Sequence, residues 1–239
     1  MKHFRFYPLL VLLAALVSQS PVCQGQGYEQ RFSEALEVQD AGLQRTILAE
    51  WEQATPGDVE LYIARYNYYI HLAGDAYADS ALACVDEAIE RYPARLDLRF
   101  GKVYFLGTLS RWDDFVDAIV ATLDHSVAIS HKWVFPNYDG DGETIVTDGV
   151  QDYLVELFSQ IDDPSRMTAA DTAMALRLRR VAKRMAQVFP ENVQALNFLA
   201  VSYTLEGDYE KALRYLRRAE AIDPTDPVIR QNIADLEGR

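Results

Sequence analysis

Residues 193–226 read VQALNFLAVSYTLEGDYEKALRYLRRAEAIDPTD, and this stretch decides the fold. Leu196, Leu199, Ala200 and Tyr203 recur at helical spacing, so the first half predicts an amphipathic helix. Glu206-Gly207-Asp208 is turn chemistry. After it, Tyr209, Ala212, Leu216 and Ala219 outline a second helix. Pro224 stops that helix, because proline lacks the backbone donor and clashes with the preceding turn. Ala200 and Ala212 are small enough to let two antiparallel helices approach closely, and Leu199, Tyr203 and Leu216 fill the seam.

This unit resembles a tetratricopeptide repeat (TPR). It agrees with the family signature at nearly every position except the leading tryptophan, which is Leu196 here. Pro190 precedes Pro224 by 34 residues, which is the period of that repeat. Outward from this unit the pattern loosens. The helix 169–188 carries Leu178, Val181, Ala182, Met185 and Val188 on one face. Ala81, Val85, Ala88 and Pro93 reproduce the spacing of Ala212, Leu216, Ala219 and Pro224, with 58–72 as the partner helix. Phe100, Gly101 and Tyr104 repeat Leu199, Ala200 and Tyr203, and pair with a helix over 112–123. Residues 28–38 and 43–53 form a cramped first pair, and 227–236 reads as a lone capping helix with one polar face. The expected fold class is therefore all-α: a TPR-like α-solenoid of antiparallel helix pairs over residues 26–239. The resemblance implies a scaffold that binds a protein or peptide on its concave face and is not an enzyme. With the N-terminal segment, the type expected is an exported bacterial one.

Export is read from the N-terminus. Lys2, His3 and Arg5 precede an apolar run from Pro8 to Val17, followed by Cys23-Gln24-Gly25. A basic start, a short apolar core and a small-x-small exit predict a signal peptide over residues 1–25. The run is too short for a stable membrane span. The alternative is a lipid anchor at Cys23, but Ser20, Pro21 and Val22 are a poor lead-in for one. The location expected is periplasmic or secreted, with an envelope lipoprotein as the alternative.

One segment departs from the helical rhythm. Lys132-Trp133-Val134-Phe135 and Glu143-Thr144-Ile145-Val146-Thr147 lean towards strand and flank the turn-rich 136–142, which predicts a β-hairpin insertion over 132–147. Trp133, Phe135 and Ile145 would anchor it, and Tyr138 would sit at its exposed tip. Asn137, Asp139, Asp141, Gly142 and Asp148 also fall at calcium-loop offsets. The fit is poor, because Pro136 denies an entering helix and the last position holds Asp148 in place of glutamate.

Composition narrows the chemistry. The chain has 239 residues, 49% of them hydrophobic, enough for a packed core. Its net charge of −13 disfavours nucleic acid as a partner. Two cysteines cannot form a disulfide framework, and no zinc, phosphate-loop or nucleophile-elbow motif occurs, so no cofactor or metal is expected. Charge is uneven: 171–218 holds nine Lys and Arg against five Asp and Glu, with Arg177, Arg180 and Arg184 on one helical face. That face is either paired to acidic neighbours within the fold or a docking patch for an acidic partner.

Partner-binding candidates follow from the 34-residue alignment. The outward-looking residues of the last repeat are Gln194, Asn197, Val201 and Thr204, and those of the earlier one are Arg95, Leu98, Lys102 and Phe105. The lysine-asparagine pattern with which some family members grip a peptide C-terminus is absent. A second possibility is a structural subunit of an envelope complex, docking through Trp133, Phe135 and Tyr138. A hydrolase or calcium-binding protein ranks third.

Overall fold

A computed structural model describes residues 26–72 and 75–238. Eleven α-helices are present among them: α1 (Gln26–Glu37), α2 (Ala41–Ala54), α3 (Val59–His71), α4 (Ala78–Arg91), α5 (Leu96–Thr108), α6 (Trp112–Ala128), α7 (Gly142–Ser159), α8 (Ala169–Val188), α9 (Val193–Glu206), α10 (Tyr209–Ile222) and α11 (Pro227–Glu237). The expected signal segment 1–25 lies outside the described residues. No helix among those described is long and apolar enough to cross a membrane. The chain divides into two compact units at Lys102/Val103, within α5.

In the N-terminal unit, α1 packs on α2 and α3 on α4. Phe32, Ile47, Trp51, Leu61 and Tyr68 form its core. Asp58 does two jobs there. It caps α3 by accepting from the Glu60 amide at 3.1 Å, and it accepts from the Trp51 indole at 3.1 Å. The core tryptophan is thereby satisfied where burial would otherwise strand its N–H. Ala81, Val85 and Ala88 are buried on α4, as the repeat spacing requires.

In the C-terminal unit, α8 packs against α6, α7 and α9, α9 against α10, and α10 against α11. Ala212, Leu216 and Ala219 are buried with the same spacing as on α4. The junction between α9 and α10 is two residues long. Gly207 takes a left-handed backbone, φ 81°, and lets the Asp208 amide bond back to Tyr203 at 2.9 Å. Asp208 then caps α10 through the Lys211 amide at 3.1 Å. A side chain at 207 would strain that left-handed turn. The expected capping helix appears as α11, with Asp226 as its N-cap and Pro227 in the first turn.

The β-hairpin over 132–147 does not form, and no β-strand occurs among the described residues. Residues 143–147, read as a strand, lie in the first turns of α7. The β-branched run Thr144–Thr147 lowers helix propensity by only a few tenths of a kcal/mol per residue, roughly. Two stronger effects override it. The Asp141 carboxylate caps the helix, accepting from the Thr144 amide at 2.9 Å. Val146, Val150, Leu154 and Leu157 then form one fully buried stripe at helical spacing. Gly142 is required because a Cβ there would collide with the His131 carbonyl oxygen. The calcium-loop reading loses its geometry for the same reason: Asp148 lies inside α7 and Asp141 is occupied as a cap. No group of three or more metal-ligating side chains occurs among the described residues.

Candidate functional site

The first helices of successive pairs in the C-terminal unit are α7, α9 and α11. Between them lies a groove of about 190 Å³. Val201, Thr204 and Leu205 of α9 line it, with Phe158 of α7, Leu216 of α10, and Asn232, Asp235 and Leu236 of α11. Helical spacing places Val201 and Thr204 side by side on α9, because residues three apart share a face. Asp235 lies 34 residues beyond Val201, at the equivalent place on the next first helix. The Asn232 side-chain amide donates to the Asn197 Oδ1 at 2.8 Å and fixes α11 against α9. Exposed Val155 and Phe158 extend the apolar surface along α7.

Of the four residues expected on α9, Val201 and Thr204 line the groove, Asn197 is buried at its edge, and Gln194 is half-buried. The earlier set is placed differently. Leu98 and Phe105, expected to look outward, are only 3% and 9% exposed. Arg95 is held by Asp97 in a two-pronged pair at 2.8 Å, and Lys102 pairs with Asp86 at 2.5 Å. These four therefore contribute packing and ion pairs. Phe158, Leu205, Asn232 and Asp235 escaped the reading of the sequence. The repeat period carried a signal for Asp235. Phe158 carried none, because the start of α7 was read as part of the 132–147 insertion.

The loop residues also have defined surroundings. Trp133 is half-buried and donates its indole N–H to the Ser126 hydroxyl at 3.0 Å. Ser126 is fully buried and lies 2.8 Å from the His131 Nδ1. This serine–histidine contact is a structural pin, since a wholly buried hydroxyl has no access to a substrate. Phe135 is half-buried, whereas Tyr138 is 38% exposed.

Charge is unevenly distributed over the helices. α7 carries four acids and no Lys or Arg, α9 carries one acid and neither cation, and α11 carries two acids and Arg230. The second helices α8 and α10 together carry nine Lys and Arg against three acids. The basic face of α8 is paired within the unit. Arg177, Arg180 and Arg184 meet Asp113, Asp117 and Asp124 of α6 at 2.8, 2.6 and 2.5 Å. Asp113 and Asp117 are thus rungs of an ion-pair ladder on an exposed face. The Asp113 carboxyl is held below its usual range by the Arg177 hydrogen bond and charge. No salt bridge among the described residues engages Asp148 or Asp152 of α7, or Asp235 in the groove lining. Burial, aided by the Asp148 carboxylate, pushes the Asp152 carboxyl up.

Arg179 completes the frame behind the groove. Its guanidinium lies 4.3 Å from the Tyr203 ring centroid, bonds the Ser202 carbonyl at 3.1 Å and pairs with Glu206 at 2.7 Å. Tyr203 stacks on Tyr215 of α10 with centroids 5.6 Å apart. One cation thus joins α8 to α9, and one ring joins α9 to α10.

Comparison with known proteins bears on the fold. The family model described as Tetratricopeptide repeat matches residues 193–226, which are α9, α10 and the turn that follows. No curated protein matches the chain in sequence. Among solved structures, a TPR repeats protein from Bacteroides fragilis NCTC 9343 is similar at a TM-score of 0.53 and 12% identity, covering 90% of this chain and 98% of that one. A tetratricopeptide repeat protein from Parabacteroides merdae ATCC 43184 is similar at 0.43 and 11% identity, covering 90% and 73%. PilW, a type IV pilus biogenesis factor, is similar at 0.41 and 15% identity, covering 91% and 88%. The chain carries a tetratricopeptide repeat at 193–226 within an all-α, TPR-like fold, a fold that commonly mediates protein–protein interaction.

Proposed function

We propose that this protein is an exported scaffold that binds a protein or peptide partner in the groove between α7, α9 and α11. The observation that carries the reading is that Val201 and Thr204 of the best-matched repeat line a groove with apolar and hydrogen-bonding walls. Such a mixture suits peptide capture, in which apolar anchors supply affinity and a few polar groups fix orientation. Binding, and not catalysis, is the role assigned to this site.

Partner recovery from an envelope fraction, compared between the parent chain and Val201→Arg, tests the proposal. The variant places a long charged side chain in the groove. Loss of the recovered partner with an unchanged thermal melt is the expected result. Equal recovery by both chains would remove the groove from the function. Export is tested separately: replacing Leu12 and Leu13 with arginine in the apolar run leaves an uncleaved precursor in the cytoplasm. Normal processing of that variant would contradict the signal-peptide reading.

A further inference from the structure

We infer that the occupant of the α7/α9/α11 groove is a cationic amphipathic peptide segment, with apolar residues on one face and Lys or Arg beside them. This inference rests on the groove being the binding site and specifies the chemistry of what enters it. The apolar half of the match is Phe158, Val201, Leu205 and Leu236 in the groove, extended by exposed Val155 on α7. The charged half is a lining whose one charged residue is Asp235, beside α7 and α9, which hold no Lys or Arg, and α11, which holds Arg230 alone. Asp148, Asp152 and Val155 follow one another at spacings of four and three on α7, so acids and apolar surface share a face. Asp235 supplies a carboxylate in the groove lining. Its only partner among the described residues is the neutral Gln231 amide, at 2.7 Å. Like charges gathered without counter-charges repel one another, and a cationic partner relieves that repulsion while an acidic one adds to it.

A second copy of the chain could offer such a face through α8 or α10, where most of the cations are already engaged within the chain. Arg177, Arg180 and Arg184 pair with α6, Arg179 with Glu206, Lys211 with Asp208, and Arg217 with Glu220. Pairing a second copy would break those contacts, so the occupant is a separate peptide.

The test uses three fluorescein-labelled helical peptides with the purified chain, read by fluorescence anisotropy. The first alternates leucine and lysine at helical spacing, the second replaces each lysine with glutamate, and the third replaces each leucine with serine. The first peptide binds, its affinity falls as salt is raised, and the other two bind at least about tenfold more weakly. Asp152→Asn with Asp235→Asn weakens binding of the first peptide by about five- to tenfold. A charge-matched control, Glu37→Gln with Glu90→Gln, lies in the N-terminal unit and leaves binding unchanged. Equal weakening by the two double variants would reduce the effect to overall negative charge and overturn the inference. Tight binding of the leucine–glutamate peptide, lost in Val201→Arg, would overturn the cationic specificity and keep the groove. Indifference of the leucine–lysine peptide to Val201→Arg would overturn the groove reading itself. Self-association in sedimentation that Asp152→Asn with Asp235→Asn abolishes would name a second copy as the occupant instead.

Discussion

Asn232 of the terminal helix donates to Asn197 of α9 at 2.8 Å, at the edge of the groove. The two residues are 35 positions apart, and Tyr66 and Gly101, also bonded at 2.9 Å, are 35 apart in the N-terminal unit. Each bond joins the first helices of neighbouring pairs, once through two side chains and once through a side chain and the backbone. Asn197→Ala should lower stability by about 1 kcal/mol, the net worth of one hydrogen bond. Asn232→Ala should cost about the same, and the double variant little more than either single one. Denaturant melts of the four proteins check this. Additive losses would show that the contact does not hold α11.

Ala212 reports on the seam of the repeat. It is fully buried on α10. Ala212→Trp should destabilise the C-terminal unit by about 1–3 kcal/mol or more, since overpacking displaces well-fitted neighbours. A thermal melt indistinguishable from the parent would contradict close packing of α9 on α10.

Asp171 gives a prediction in pH. Its carboxylate accepts from the Thr168 hydroxyl at 2.7 Å and amide at 2.9 Å, and from the Asp162 amide at 3.1 Å. Those bonds, the hydroxyl first, hold its carboxyl below the usual aspartate range. A depressed folded-state value means that the unfolded chain binds the proton more readily. The stabilisation is therefore present above the unfolded value of about 3.9 and lost as pH falls through the lower folded one. Melts between pH 6 and the acid limit should show a shallower acid loss in Asp171→Asn than in the parent. Thr168→Ala, which removes the helix cap, should cost about 1 kcal/mol at neutral pH.

Trp133 and Tyr138 should behave differently although they are neighbours in one loop. Trp133→Ala removes a half-buried ring and its bond to buried Ser126, so the melting temperature falls. Tyr138→Ala removes an exposed ring and leaves the melt within about 0.5 kcal/mol of the parent. If partner recovery survives both changes in proportion to the folded fraction, the loop acts as a brace and takes no part in docking.

The repeat at 193–226 was legible because its code is local. Alanines at the close contact, Gly207-Asp208 at the turn and Pro224 at the stop each act within one helix pair, so periodicity alone exposes them. α4 was legible for the same reason. The 132–147 segment misled because β-branched residues are a weak local signal. Capping by Asp141 and burial of Val146 and Val150 against the rest of the unit outweighed it. Tertiary packing alone also decided which charges are free. In sequence Arg177, Arg180 and Arg184 fit either a paired face or a docking patch, and the partners that decide between them lie some 60 residues earlier, on α6. Burial of Leu98 and Phe105, and the meeting of Phe158, Val201 and Asp235 in one groove, follow from the same cause. A helix states which residues share its face through its own period. Which of its faces is covered, and by what charge, depends on helices remote in the chain that only the folded state brings alongside.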